Sequence, residues 1–442
     1  MSSVRIFGGA VVAALLVLTA SPVPAAAADE AEPLTVPPGL VIDEDFPDPD
    51  VTRFGDTYYA YSTNNANGHV PYATAPSVDG PWTIRGNALP ALGAWASSGY
   101  TWAPDVSQRA DGSYLLYYTA RSTATNRQCI GAAVASSPAG PFAPLGSGPL
   151  VCDPAEGGDI DASSFTDADG SRYLLYKDDG NAIGQPTQIW LQPVAADGVT
   201  FTGPRTELLR SDRADEGGVI EAPVLVRRAS QYVLFYSANG YGGDAYVTSY
   251  ATSPSLTGTY TKAFRPLMST ASVDGRVSGP GGQDIVGDHI VFHGWINGNT
   301  QRGMYVADLG WANDFPVVRG SRVRYEAESG RLNNAIVRDN AAGASQGRVA
   351  AGIDHADSWV EITVFAPTPG AYTAHVGYAA GYGDAQHTLT VNGGAATVVD
   401  YPDQGWDNWR QRSVPVELAA GWNTLRFQHR TAWAELDYVE VA

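Results

Sequence analysis

Cysteine and methionine are scarce in this chain of 442 residues, at two and three, and basic side chains are outnumbered, 27 Lys and Arg against 46 Asp and Glu. Two cysteines cannot build a four-thiolate zinc site, and no His-Glu-x-x-His run occurs, so zinc chemistry is not indicated. The formal charge of −19 makes contact with nucleic acid or anionic lipid repulsive. Long segments of helical period are also lacking, so helix should be scarce. Only one long hydrophobic run is present. It spans Ile6 to Ala20, follows Arg5 and precedes Ala26-Ala27-Ala28, the pattern of a cleaved leader over residues 1–28 rather than of a membrane anchor. The expectation is a secreted, extracellular protein with no membrane attachment after leader removal. Export makes a Cys129–Cys152 disulfide the expected state, worth about 3 kcal/mol; the other reading is two buried thiols.

What the chain has in abundance is aromatic strand. Thr57-Tyr58-Tyr59-Ala60-Tyr61 is followed by Tyr114-Leu115-Leu116-Tyr117, Tyr173-Leu174-Leu175-Tyr176, Tyr232-Val233-Leu234-Phe235-Tyr236 and the weaker His289-Ile290-Val291-Phe292-His293. Tyr58, Tyr114, Tyr173, Tyr232 and His289 are separated by steps of 56 to 59 residues. A repeat of that size, rich in short strands and turns, predicts five sheets set radially about an axis. Acids keep company with the repeat: Asp48, Asp105, Asp161 and Glu221 each stand shortly before an aromatic strand. If each opens the innermost strand of its blade, four carboxylates converge at one end of the axis. Convergent carboxylates push one another's pKa values apart, which is what acid and base chemistry on a sugar needs. An acidic chain with many Trp and Tyr also suits neutral glycans.

The segments around those acids carry a resemblance. Pro47-Asp48-Pro49-Asp50-Val51, Trp102-Ala103-Pro104-Asp105-Val106, Ile160-Asp161-Ala162-Ser163 and Ile220-Glu221-Ala222-Pro223, in this order, resemble the signature of glycoside hydrolase family 43. Its members are five-bladed propellers acting on arabinose- and xylose-containing polysaccharides. Gly279-Pro280-Gly281-Gly282, His293 and Arg302 fit the same pattern, which covers roughly residues 41–320. The resemblance implies that Asp48 is a general base, Glu221 a general acid, and Asp161 the group that tunes and orients the acid. It implies inversion at the anomeric carbon, with base and acid about 6.5–9.5 Å apart. Trp102, Asp105, His293 and Arg302 are the implied substrate-binding residues. Catalysis needs no cofactor on this reading. Many relatives carry His directly after Gly-Pro-Gly, where it helps hold an ion on the propeller axis; Gly282-Gln283 stands there instead, which speaks against an axial metal.

After a linker over 29–40 and the propeller over 41–320, the texture changes to alternating strands such as Trp359-Val360-Glu361-Ile362-Thr363-Val364. Residues 322–442 read as a separate β-sandwich. Tyr325-Glu326-Ala327-Glu328-Ser329-Gly330, Gly352-Ile353-Asp354 and Leu436-Asp437-Tyr438 resemble carbohydrate-binding modules of families 6 and 35. The resemblance implies a structural calcium held by Glu326, Glu328 and Asp437, whose hard oxygens suit that ion. Trp406, Trp409 and Trp433 lie in loop-like stretches and are the candidates for stacking on a sugar face. Relatives often place Asn two residues before the late Asp; here that residue is Glu435.

The expectation is therefore an all-β chain, a five-bladed β-propeller followed by a jelly-roll carbohydrate-binding module. Its partner would be plant cell-wall arabinan, arabinoxylan or xylan. The preferred activity is α-L-arabinofuranosidase, with β-xylosidase and endo-1,5-α-L-arabinanase as alternatives. A propeller that only binds sugar is the reading from a different class, and retention of Asp48, Asp161 and Glu221 together argues against it.

Overall fold

The computed structural model describes residues 38–442. The leader expected over 1–28 and most of the linker expected over 29–40 lie outside the described residues. Regular structure in the described part is almost wholly strand, interrupted by five short 3-10 turns. None of its helices is long and apolar enough to cross a membrane.

Five antiparallel sheets follow one another in the order of the chain. Their innermost strands are Asp50–Phe54, Ala96–Gln108, Asp159–Thr166, Ile220–Arg227 and Ser278–Val286. Each touches the innermost strand of the next blade, and the fifth touches the first, so the ring is closed. The aromatic segments are the second strands of their blades: Thr57–Tyr61, Tyr114–Ser122, Arg172–Asp178, Tyr232–Ala238 and His289–Ile296. Neighbouring blades cover both faces of these strands. Consecutive residues such as Leu115, Leu116, Tyr117 and Tyr118 are therefore all buried, which is why they read as continuous apolar runs rather than alternating ones. Each such buried side chain contributes about 1.5–3 kcal/mol of transfer free energy.

The fifth blade is built from both ends of the propeller sequence. Its third strand, Gln301–Ala312, pairs with Gly39–Ile42, and Gly39 stands opposite Val306. Residues 39 and 40, read from the sequence as linker, are thus part of the strand that closes the ring. Cys129 and Cys152 form a disulfide. It ties the third strand of blade 2 to the segment leading into blade 3.

The C-terminal part is a two-sheet sandwich. One sheet runs Ile336–Asp339, Arg348–Ala351, Ala434–Val441, Gly370–Ala380, Arg410–Leu418, with Val323–Glu326 also on Ala434–Val441. The other runs Arg331–Asn333, Trp359–Ala366, Gly421–Thr431, Ala385–Val391, Ala396–Tyr401. Val360, Ile362, Val364, Val376, Leu425, Phe427 and Leu436 fill the space between them. The sandwich packs on blade 5. Pro367 lies against Gly310, Thr368 donates to Asp308 at 2.8 Å, and Arg319 donates to Thr368 at 2.8 Å.

Candidate active site

Every blade makes the same local departure from regular strand. Asp48, Ala103, Asp161, Ala222 and Gly282 all have left-handed backbone, with φ of 53, 39, 56, 51 and 58°. In blades 2 to 5 two residues of the inner strand face one of its partner at this point, a β-bulge. Bulges re-aim side chains, and a shift of one residue turns a side chain to another face. The four acids therefore do not occupy equivalent places, as their spacing had suggested. Asp48 and Asp161 sit at the left-handed position itself, Glu221 stands one residue before it, and Asp105 two residues after it.

The bulges surround one cavity of about 390 Å³, lined by Asp48, Trp102, Asp105, Asp161, Glu221 and Arg302 among others. Arg302 Nη1 is 3.2 Å from Asp48 Oδ1, and Thr63 donates to Asp48 Oδ2 at 2.6 Å. Burial by itself would raise the Asp48 pKa. The Arg302 guanidinium outweighs it, with help from His293 and Thr63, and holds the carboxyl well below the usual range. Asp48 is therefore an ionised acceptor. Gly282 leaves the space beside it open: a Cβ there would lie 2.5 Å from His293 Nδ1 and 2.9 Å from Asp48 Oδ1.

On another side of the cavity Glu221 is held at both oxygens. Tyr246 donates to Oε1 at 2.8 Å and Lys177 Nζ donates to Oε2 at 3.0 Å. Asp161 accepts from the Ala222 amide at 3.0 Å. Burial, then the charge of Glu221, push Asp161 up to about 7 against the pull of Lys177. Tyr246 connects the two halves, since its ring stacks on the His293 imidazole with centroids 5.7 Å apart and planes 9° from parallel. Taking a proton from water and delivering one to a leaving oxygen calls for two carboxyl groups facing one cavity, and Asp48 and Glu221 both line this one.

Two expected substrate contacts are placed differently. His293 is fully buried and does not line the cavity; its Nδ1 accepts from the Asp48 amide at 3.1 Å, so it acts on Asp48 and not on a ligand. Asp105 reaches the cavity, but its carboxylate accepts from the Ser164 amide at 3.0 Å and hydroxyl at 2.5 Å, which latches blade 2 to blade 3. Trp102 and Arg302 do line the cavity. Lys177, Tyr246 and Tyr241 were missed. Tyr241 is 53% exposed at the rim, with the Arg302 guanidinium 4.9 Å from its ring centre.

In the sandwich a second cavity of about 320 Å³ is lined by Arg338, Asp354, Tyr382, Trp406, Trp433 and Glu435 among others. Tyr382 is 69% exposed and stands edge-on between Trp406 and Trp433, 5.4 Å from each. Trp409 is not part of this group. It packs on Ala341, Val349 and Ala351 and donates to the Ala342 carbonyl at 2.9 Å, while its two expected partners line the cavity. Glu435 is tied to Arg338 at 2.6 Å.

The expected calcium ligands are neighbours, and Glu326 Oε2 and Glu328 Oε2 are buried without a hydrogen-bond partner. Burial, followed by the charges of Glu326 and Asp437, raises the Glu328 pKa. That donor chemistry fits a hard cation. Among the described residues, however, no three acidic, His or Cys side chains are gathered at metal-ligand geometry. Asp437 is held away by the Ser345 amide, at 2.9 and 3.1 Å from its two oxygens.

Comparison with known proteins gives the family of each part. The model for glycosyl hydrolases family 43 matches residues 39–314, and that for carbohydrate binding module family 35 matches residues 323–442. A probable arabinan endo-1,5-alpha-L-arabinosidase A of Aspergillus flavus is 29% identical over 264 residues, 54% of this chain and 77% of the relative. The extracellular endo-alpha-(1->5)-L-arabinanase 1 of Bacillus subtilis is 26% identical over 291 residues, 61% of this chain and 86% of the relative. Among solved structures, a thermostable family-43 glycoside hydrolase aligns at TM-score 0.56 and 25% identity over 62% of this chain and 93% of its own. An endo-arabinase from Bacteroides thetaiotaomicron aligns at 0.53 and 21% over 62% of this chain and 97% of its own, a likeness of fold.

Proposed function

The chain belongs to glycosyl hydrolases family 43, and from that premise we propose that it is a secreted, inverting hydrolase of arabinan that cuts internal 1,5-α-L-arabinosyl bonds. The observation that carries the chemistry is the single cavity holding Asp48, ionised under Arg302, together with Glu221 and Asp161. The choice of substrate rests on the names of the curated relatives, which are arabinan endo-hydrolases. They favour the endo-arabinanase alternative over the arabinofuranosidase preferred from the motifs. Secretion is supported by the leader-like residues 1–28 and by the Bacillus relative's description as extracellular.

In this reading Asp48 takes a proton from a water as its oxygen bonds to the anomeric carbon. Glu221 gives its proton to the departing glycosidic oxygen, and Asp161 keeps Glu221 oriented for that transfer. Trp102 and Tyr241 supply stacking faces for the sugars on either side of the scissile bond. The test is digestion of linear arabinan by wild type and Glu221→Ala. Short oligosaccharides of inverted anomeric configuration, absent with the variant, are the expected result. Release of arabinose alone would return the reading to arabinofuranosidase, and hydrolysis of xylan or of an aryl β-xyloside in place of arabinan would make the enzyme a xylosidase.

We further propose that the module's Tyr382, Trp406 and Trp433 bind the same class of neutral glycan, and that calcium would stabilise it through Glu326, Glu328 and Asp437. A calcium-dependent rise in Tm that is lost in Glu328→Gln is the expected outcome. At a concentration one hundred times Kd the gain is about 2.7 kcal/mol. The same Tm with calcium and with chelator would remove the ion.

A further inference from the structure

Four blades repeat one hydrogen bond. The residue paired opposite the one preceding the left-handed turn accepts the amide of the next blade's left-handed residue. Thr63 accepts from Ala103 at 2.9 Å, Thr119 from Asp161 at 3.3 Å, Ser237 from Gly282 at 2.9 Å, and His293 from Asp48 at 3.1 Å. In blade 3 the same place, opposite Ile160, is held by Lys177. An ammonium group has no acceptor. The Ala222 amide turns to Asp161 Oδ2 instead, and Lys177, fully buried, points across to blade 4. There it meets Glu221 Oε2 at 3.0 Å, while Asp179 Oδ1 of its own blade lies 3.5 Å away.

A buried lysine where a threonine would complete the pattern is a departure that stability does not explain. Removing an ammonium group from water costs several kcal/mol before its partners compensate. Burial lowers its pKa, but Glu221, Asp161 and Asp179 together raise it above the ordinary lysine value, so the positive charge is permanent.

We propose that Lys177 is a positioning residue for the reaction: its ammonium fixes the Glu221 carboxyl and stabilises the carboxylate that appears there as the proton leaves. The Glu221 O–H bond breaks and an O–H bond forms on the glycosidic oxygen. That oxygen departs with the electron pair of its bond to the anomeric carbon, while the attacking water's proton passes to Asp48. The negative charge left on Glu221 arises 3.0 Å from Lys177 Nζ, where low dielectric strengthens the attraction. Asp161 and Lys177 then act in opposite senses. The aspartate favours the proton on Glu221 before transfer, and the lysine favours the anion after it.

This rests on Glu221 being the proton donor. The test uses Lys177→Thr, which places at this position the residue type of blades 1 and 2, with Lys177→Arg as the charge-retaining control. Substrates are aryl α-arabino-oligosaccharides whose leaving groups span a range of acidity. Removing the charge should slow poor leaving groups about 10- to 100-fold and leave the best ones nearly unchanged. The alkaline limb of kcat/KM should move to higher pH, because the proton is then held more tightly. Lys177→Arg should lie closer to wild type on both measures. A uniform loss across leaving groups with an unmoved limb, or a variant Tm so low that Lys177→Arg shares the whole loss, would overturn the proposal. If Glu221→Ala is as active as wild type on the whole series, the catalytic reading itself fails, and that result is distinct.

Discussion

Arg302 shows how much of an active group's character lies outside it. Asp48 is half-buried, and desolvation alone would favour its proton; the guanidinium at 3.2 Å, together with His293 and Thr63, reverses this. Replacing Arg302 with Met leaves burial unopposed except by His293 and Thr63. The Asp48 pKa then rises, and the acid limb of kcat/KM should move to higher pH. Activity should fall at least about tenfold at pH 5 and by a smaller factor at pH 8. An acid limb that stays in place in a pH–rate series would show that Asp48 is not the group being titrated. Asp48, Asp161, Glu221 and Arg302 were all legible in the sequence, because motif residues carry their chemistry in their identity. His293 was legible as a residue but not in its role, since only the structure reveals that it faces the Asp48 amide.

At the level of strands and blades, the same three-residue step recurs with different side chains on it. Two residues past the left-handed position, Asp50 accepts the Val106 amide, Asp105 the Ser164 amide and Asp284 the Val51 amide. Each carboxylate latches its blade to the next; Asp50 is buried, and Asp105 and Asp284 are half-buried in the cavity wall. Burial, followed by the charge of Asp105 among others, pushes Asp284 up to about 7. Its folded pKa thus lies above its unfolded value near 4. Ionisation penalises the folded state, so this stability is whole below about pH 4 and is lost as pH rises from there through about 7. Asp284→Asn keeps an oxygen for the Val51 amide and cannot ionise. Its Tm should exceed that of wild type by a few degrees at pH 8 and match it at pH 3, below the unfolded pKa; an equal difference at both would assign the effect to packing. The aromatic second strands announced the blades correctly because their burial on both faces leaves a continuous apolar signature. The bulges were invisible, since alanine, aspartate and glycine share the left-handed position. That is why Glu221 and Asp105 were aligned with residues one and two places away. Lys177 was within reach: Thr63, Thr119, Lys177, Ser237 and His293 recur at steps of 56 to 60 residues, but the repeat is seen only once the acceptor role is known.

For the molecule as a whole, propeller and sandwich differ in what threatens them. His387 is buried in the sandwich with both ring nitrogens unpartnered. Burial, with His429 nearby, pushes it down to about 3. Its folded pKa is depressed below 6.5, so its contribution is whole above that value and is lost as pH falls toward 3. At pH 4.5 the loss is about 3 kcal/mol. Calorimetry should find wild type destabilised between pH 7 and 4.5 by more than His387→Phe; parallel losses would exonerate the histidine. Trp433→Ala should weaken binding to arabinan at least about tenfold while hydrolysis of small substrates is unchanged, because its cavity shares no lining residue with the propeller's. The sandwich was legible from alternating strands, but which of its tryptophans face out was not, as Trp409 showed. The strand Gly39–Ile42 has a further consequence, one of timing. Its partner at Val306 leaves the ribosome more than 260 residues later, on the order of 15–50 s at ordinary elongation rates. For that interval four blades can form with two raw edges and no ring, so anything that captures the first strand early competes with the last blade for it.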